Sequence, residues 1–90
     1  QEMGKYFKES LVSLSRETNV FGEVRGMGLL VGIVCNITNT DMVKALEDNG
    51  LLTVAAGDNV VRFLPPLITE KHHIDEAVAI LNDVCGQLST

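Results

Sequence analysis

Apolar residues recur at helical spacing at both ends of this chain and in alternation or short runs between. Met3, Phe7, Leu11 and Leu14, with Tyr6 alongside, trace one face of a helix from about Glu2 to Glu17, closed by the Thr18-Asn19 turn. Val24-Arg25 reads as a short strand, and Leu29 to Cys35, rich in Leu, Val and Ile, as a longer buried one. Thr40 is the expected N-cap of a short helix with Asp41 in its first turn and Met42, Val43 and Leu46 as its apolar stripe. Gly50 stops that helix from the position after its cap, where φ is usually positive. Leu51 to Ala56 and Asn59 to Leu64 read as a hairpin, with Gly57 at the first central position of a type II′ turn. This register sets Thr53 opposite Arg62 and Val54 opposite Val61. Leu52, Val54, Val61 and Phe63 then share one face, and Arg62 shares the other with Thr53, Ala55, Val60 and Leu64. Pro65-Pro66 ends the strand, and Thr69 is the expected cap of a last helix. That helix carries Ile74, Ala77, Val78, Leu81, Val84 or Cys85, and Leu88 at clean helical period. The order helix, two strands, helix, two strands, helix predicts an α+β fold, a small mostly antiparallel sheet covered by helices.

Composition narrows the class. Ninety residues make one domain, spanning residues 1–90, and 46% hydrophobic with 21% charged residues is ordinary for a folded one. Aromatics are 4% and Trp is absent, so the core is expected to be aliphatic. A formal net charge of −5 argues against a nucleic-acid partner, which wants a basic face. No apolar run is long enough to cross a bilayer, and the longest is broken at Gly32. The first turn has mixed charge and no apolar h-region, so no signal peptide is expected. Cys35 and Cys85 both sit in apolar settings, which suits reduced thiols in a cytoplasmic protein. The first helix opens without a cap and the chain starts at Gln1, so it is expected to be part of something larger.

Five features could carry chemistry. Arg25-Gly26-Met27-Gly28-Leu29-Leu30-Val31-Gly32 has closely spaced glycines, but a strand follows where a phosphate cradle needs a helix. A turn or bulge between strands is the plainer reading. His72 and His73 are neighbours and point apart, so solvated histidines are expected and no metal site is assigned. Cys35 has no nearby His or helix N-terminus to activate it and reads as core. The pairs Asp75-Glu76 and Glu47-Asp48 look like solvated faces. Arg62 lies in the otherwise apolar strand Asn59-Val60-Val61-Arg62-Phe63-Leu64, where an unpaired charge against a core is costly. Either it is a surface residue or structural ion pair, or it is a clamp whose guanidinium binds a carboxylate bidentately.

Two stretches go beyond generic pattern. Glu23-Val24-Arg25-Gly26-Met27-Gly28-Leu29-Leu30-Val31-Gly32 resembles the "VRGxGLLxG" segment of class III pyridoxal-phosphate aminotransferases. Leu51 to Leu67 resembles the C-terminal "GLL…GDNVVRxLPPL" stretch of the same family, most like its acetylornithine subgroup, with the ornithine subgroup next. The resemblance covers nearly the whole chain in the right order. One departure falls after the prolines, where Glu70 stands at the family's usual Thr position and the cap shifts to Thr69.

The resemblance implies the small C-terminal domain of a dimeric fold-type I enzyme, docked on its own large domain. Pyridoxal 5′-phosphate, its Schiff-base lysine and its other ligands would belong to that large domain. No catalytic or cofactor-binding residue is placed here, since Lys5, Lys8, Lys44 and Lys71 sit in helices or caps. Arg62 matches the family's substrate-site arginine and is the one substrate-binding residue assigned. The implied reaction moves the amino group of N-acetylornithine to 2-oxoglutarate in arginine biosynthesis, in the cytoplasm. Ornithine or 4-aminobutyrate as donor is the alternative within the family, and a stand-alone ligand-binding or interaction module is the alternative outside it. The 90 residues alone are expected to be inactive.

Overall fold

In the computed structural model, described over residues 2–27, 30–64 and 70–88, three helices lie on one face of a four-stranded antiparallel sheet. The elements are α1 (Glu2–Ser15), β1 (Phe21–Met27), β2 (Leu30–Cys35), α2 (Asn39–Asp48), β3 (Thr53–Ala56), β4 (Val60–Phe63) and α3 (Lys71–Leu88). A 3-10 turn, Gly57–Asn59, joins β3 to β4. The α+β class and the element order are as the sequence implies. Sheet order is β1-β2-β4-β3, so β4 pairs with β2 across an intervening helix and strand. Pro65, Pro66, Thr69 and the turn at Gly28-Leu29 lie outside the described residues.

The core forms where the helical stripes meet alternate residues of the sheet. Phe7, Leu11 and Leu14 of α1, Met42 and Leu46 of α2, and Ile74, Ala77, Leu81, Val84 and Cys85 of α3 are buried. They close on Val31, Ile33, Val61 and Phe63. Phe7 meets Phe63 edge to face with ring centroids 5.0 Å apart, a contact that adds to its area burial. No charged or polar residue is buried among those described. On the outside, the Tyr6 hydroxyl donates to the Asp75 carboxylate, which also takes Lys71 at 3.1 Å, tying α1 to α3.

The hairpin register differs from the expected one by a single residue. Thr53 pairs with Phe63, Val54 with Arg62, Ala55 with Val61 and Ala56 with Val60. The turn holds three residues, and the left-handed positions are Asp58 (φ 63°) and Asn59 (φ 61°), not Gly57. Asn and Asp are the non-glycine residues best able to adopt that conformation. The slip moves Thr53 and Ala55 to the face of Val61, and it moves Val54 to the face of Arg62. Leu52 and Val54, expected in the core, are 62% and 47% exposed, while Leu51 is buried.

Helix α2 starts two residues early, at Asn39, so Thr40 is inside it and not its cap. Thr38 holds the cap position without a side-chain bond. Its place is taken from afar: the Asn39 amide donates to Asn59 Oδ1 at 2.8 Å. The helix ends as expected. Leu51 N–H bonds the Leu46 carbonyl at 2.8 Å and Gly50 N–H the Glu47 carbonyl at 3.0 Å, a Schellman closure with Gly50 at φ 92°. A Cβ on Gly50 would meet nothing within 4 Å. Gly50→Ala should therefore cost only backbone strain, about 1 kcal/mol, read as a lower urea midpoint at constant slope. No helix of the described residues is long and apolar enough to cross a membrane.

Candidate functional site

Arg62 leaves the core by strand alternation: Val61 and Phe63 on either side are buried, and Arg62 is exposed on the sheet's other face. No helix among the described residues covers that face. Across the sheet Arg62 falls in one row with Arg25, Gly32 and Val54, because Gly32 pairs with Arg25 on one side and with Arg62 on the other. A Cβ on Gly32 would lie 2.9 Å from Val60 Cγ1 and 3.0 Å from the Val61 carbonyl oxygen, so glycine is required for this approach of strands. Without a side chain there, the two arginines flank a shallow floor.

That floor belongs to a depression of about 400 Å³ whose lining includes Arg25, Leu30, Gly32, Ala56, Val60 and Arg62. Its two cations differ. Arg25 Nε contacts Glu23 Oε2 at 2.9 Å and its Nη1 lies 3.7 Å from Asp58 Oδ2 in the β3–β4 turn. Arg62 has no carboxylate within ion-pairing distance among the described residues. Leu30 (53% exposed) and Val54 (47%) share its face by register, and the exposed Leu52 (62%) and Leu64 (36%) lie just beyond the ends of β3 and β4. A guanidinium on such a surface can take a carboxylate through two parallel N–H bonds.

The turn that carries Asp58 is fixed by amides. Asn59 Nδ2 donates to the carbonyls of Cys35 (2.8 Å) and Ile37 (2.6 Å). Asn39 Nδ2 donates to those of Ala56 (2.9 Å) and Val60 (3.1 Å). This network and the Arg25–Asp58 pair were not visible as local sequence pattern, since their partners lie 17 to 33 residues apart.

The remaining candidates lie elsewhere. Cys35 and Cys85 are free and buried, and burial pushes the Cys35 thiol up to about 11 and raises Cys85 as well. Neither is poised as a nucleophile. His72 and His73 are exposed as expected, yet they do not point fully apart. The first turn of α3 gathers their nitrogens and the Glu70 carboxylate within 4.8 Å of one another, all three residues solvent-facing. The four lysines Lys5, Lys8, Lys44 and Lys71 all lie on helices, in the layer opposite Arg62. Among the described residues no lysine lines the depression, so its residues do not fit a covalently held aldehyde cofactor.

The chain belongs to the class-III aminotransferase family, whose model matches residues 1–85. It is 46% identical over 91 residues to acetylornithine aminotransferase 1 of Bradyrhizobium diazoefficiens, covering 100% of this chain and 22% of that protein. Among solved structures it resembles acetylornithine aminotransferase of Elizabethkingia anophelis, with a TM-score of 0.86 and 28% identity over 97% of this chain and 24% of that one. It also resembles ornithine delta-aminotransferase of Plasmodium falciparum, with a TM-score of 0.87 and 30% identity over 98% of this chain and 24% of that one. The chain thus spans about a fifth to a quarter of the length of these relatives.

Proposed function

We propose that residues 1–90 form the C-terminal small domain of a pyridoxal-phosphate-dependent transaminase, and that its full-length parent moves the amino group of N-acetylornithine to 2-oxoglutarate in arginine biosynthesis. The observation that carries this reading is Arg62, exposed without a carboxylate partner among the described residues, on an open sheet face bordered by Leu30, Val54 and Leu64. Family membership and the acetylornithine relatives support it. The cofactor would supply the electron-withdrawing chemistry and would be held by the parent's large domain. This chain's part is binding and orientation. Arg62 takes a substrate carboxylate in a forked contact, and the apolar rim excludes water once the large domain lies over the open face. The parent is read as a cytoplasmic homodimer, and the 90 residues alone as inactive. A free-standing module is disfavoured by the four exposed large hydrophobics on and beside that face.

Ornithine is the second donor to consider, because the Plasmodium falciparum structure superposes as well as the acetylornithine one. The test is glutamate formation by the full-length parent given 2-oxoglutarate with N-acetylornithine, ornithine or 4-aminobutyrate. N-acetylornithine should give the highest kcat/KM. Glutamate from none of the three would sink the proposal.

A further inference from the structure

The start of α3 brings together three metal-binding side chains that the proposed reaction does not use. Glu70, His72 and His73 each offer one donor atom, and these donors lie within 4.8 Å of one another. Successive residues on a helix diverge by about 100°, so the convergence has a local cause. The Glu70 carbonyl accepts from the amides of His73 (3.1 Å) and Ile74 (3.2 Å). With α3 beginning at Lys71, Glu70 stands at the cap and the histidines at the second and third helical positions. No helical turn precedes them, so their side chains escape the clash that restricts rotamers further along a helix. The two imidazoles lean together, with ring centroids 4.1 Å apart and planes at 53°. Glu70 is three residues before His73 and is therefore its neighbour on the helix surface.

The spacing suits an ion held between the groups better than a direct contact. Glu70 Oε2 lies 3.4 Å from His72 Nε2. An N–H···O hydrogen bond is ordinarily about 2.7–3.2 Å long. Two donors that each stand about 2.0–2.1 Å from a tetrahedral zinc ion are roughly 3.3 Å apart. Two imidazoles and a carboxylate are a donor set that zinc and neighbouring divalent transition ions accept, and three protein ligands leave a further position for water. All three residues are exposed, so an ion reaches them without opening the core. The positive end of α3 opposes a cation. Against it, Lys71 is held by Asp75 at 3.1 Å, and Asp75 and Glu76 add negative charge just beyond the histidines.

We infer that Glu70, His72 and His73 bind one divalent transition ion of the zinc class, on the helical layer and away from the face of Arg62. Magnesium and calcium are refused, because these hard cations take oxygen ligands and the site offers two nitrogens.

The test is a zinc titration of the full-length protein against a chromophoric chelator, with the double variant His72→Ala/His73→Ala titrated alongside. The unaltered protein should hold one zinc ion per chain more than the double variant. Glu70→Gln should weaken that site by about tenfold or more, since even a group placed behind a metal ligand costs that much when lost. A large excess of magnesium or calcium should displace no zinc from it. The side chains are exposed, so the zinc-free variants should melt with the unaltered protein. Should the double variant fail to fold, His73→Gln alone gives the same comparison. Equal zinc uptake with and without the histidines would overturn the inference. So would a Glu70→Gln variant that binds zinc as tightly as the unaltered protein, or displacement of the zinc by magnesium.

Discussion

Replacing Asn59 by alanine should lower the stability of the fold by about 3 kcal/mol, the largest effect expected of any exposed or half-exposed position. Its side chain makes three hydrogen bonds, accepting from the Asn39 amide at 2.8 Å and donating to the carbonyls of Cys35 and Ile37 at 2.8 and 2.6 Å. Each is worth about 0.7 kcal/mol net, and the first also caps α2, whose own cap residue makes no side-chain bond. Alanine at φ 61° adds a left-handed strain of about 1 kcal/mol. In a domain of this size the sum corresponds to roughly 15 °C in melting temperature. Asn59→Gly divides the two causes, because glycine keeps the conformation and loses only the bonds. A melting temperature for Asn59→Ala within a few degrees of the parent's would mean that the amide network does not hold the turn.

Arg62→Ala should do the reverse, leaving stability nearly unchanged and lowering kcat/KM of the full-length parent by about 10- to 100-fold. Charge-assisted hydrogen bonds to a carboxylate are worth roughly 1.5–3 kcal/mol, which sets that range. The side chain is exposed and has no ion-pair partner among the described residues, so removing it breaks nothing that the fold depends on. Arg62→Lys should recover only part of the loss, because an ammonium keeps the charge and not the planar fork. A fall in stability matching the fall in activity would make Arg62 structural. Unchanged kcat/KM for both half-reactions would remove it from the substrate site.

How much of this was legible in the sequence follows from how local each cause is. The stripes of α1 and α3 are set by residues three and four apart, and they appear as read. Gly50 closes α2 through bonds within six residues, and its conformation was likewise readable. The face of Arg62 was right although the hairpin register was wrong, because strand alternation alone opposes Arg62 to Val61 and Phe63. The register failed because Gly57 is the obvious left-handed residue by type. The chain instead places Asp58 and Asn59 there and rewards Asn59 with bonds to Cys35 and Ile37, more than twenty residues earlier. Thr40 was misread as a cap for the same reason, since the acceptor for the α2 amide comes from Asn59. In the sequence Arg25 stands out only as part of a glycine-bearing motif. Its place in the row of Arg62 depends on β2 pairing with β4, and α2 and β3 lie between those strands in sequence.

The most direct test of the account is the absorbance of pyridoxal phosphate bound to the full-length parent as N-acetylornithine is added without an amino acceptor. The account predicts a purified protein that carries the cofactor and a spectrum that converts with N-acetylornithine, with ornithine and 4-aminobutyrate converting it less readily. A protein that binds no cofactor, or one whose spectrum is unmoved by all three amines, would contradict it.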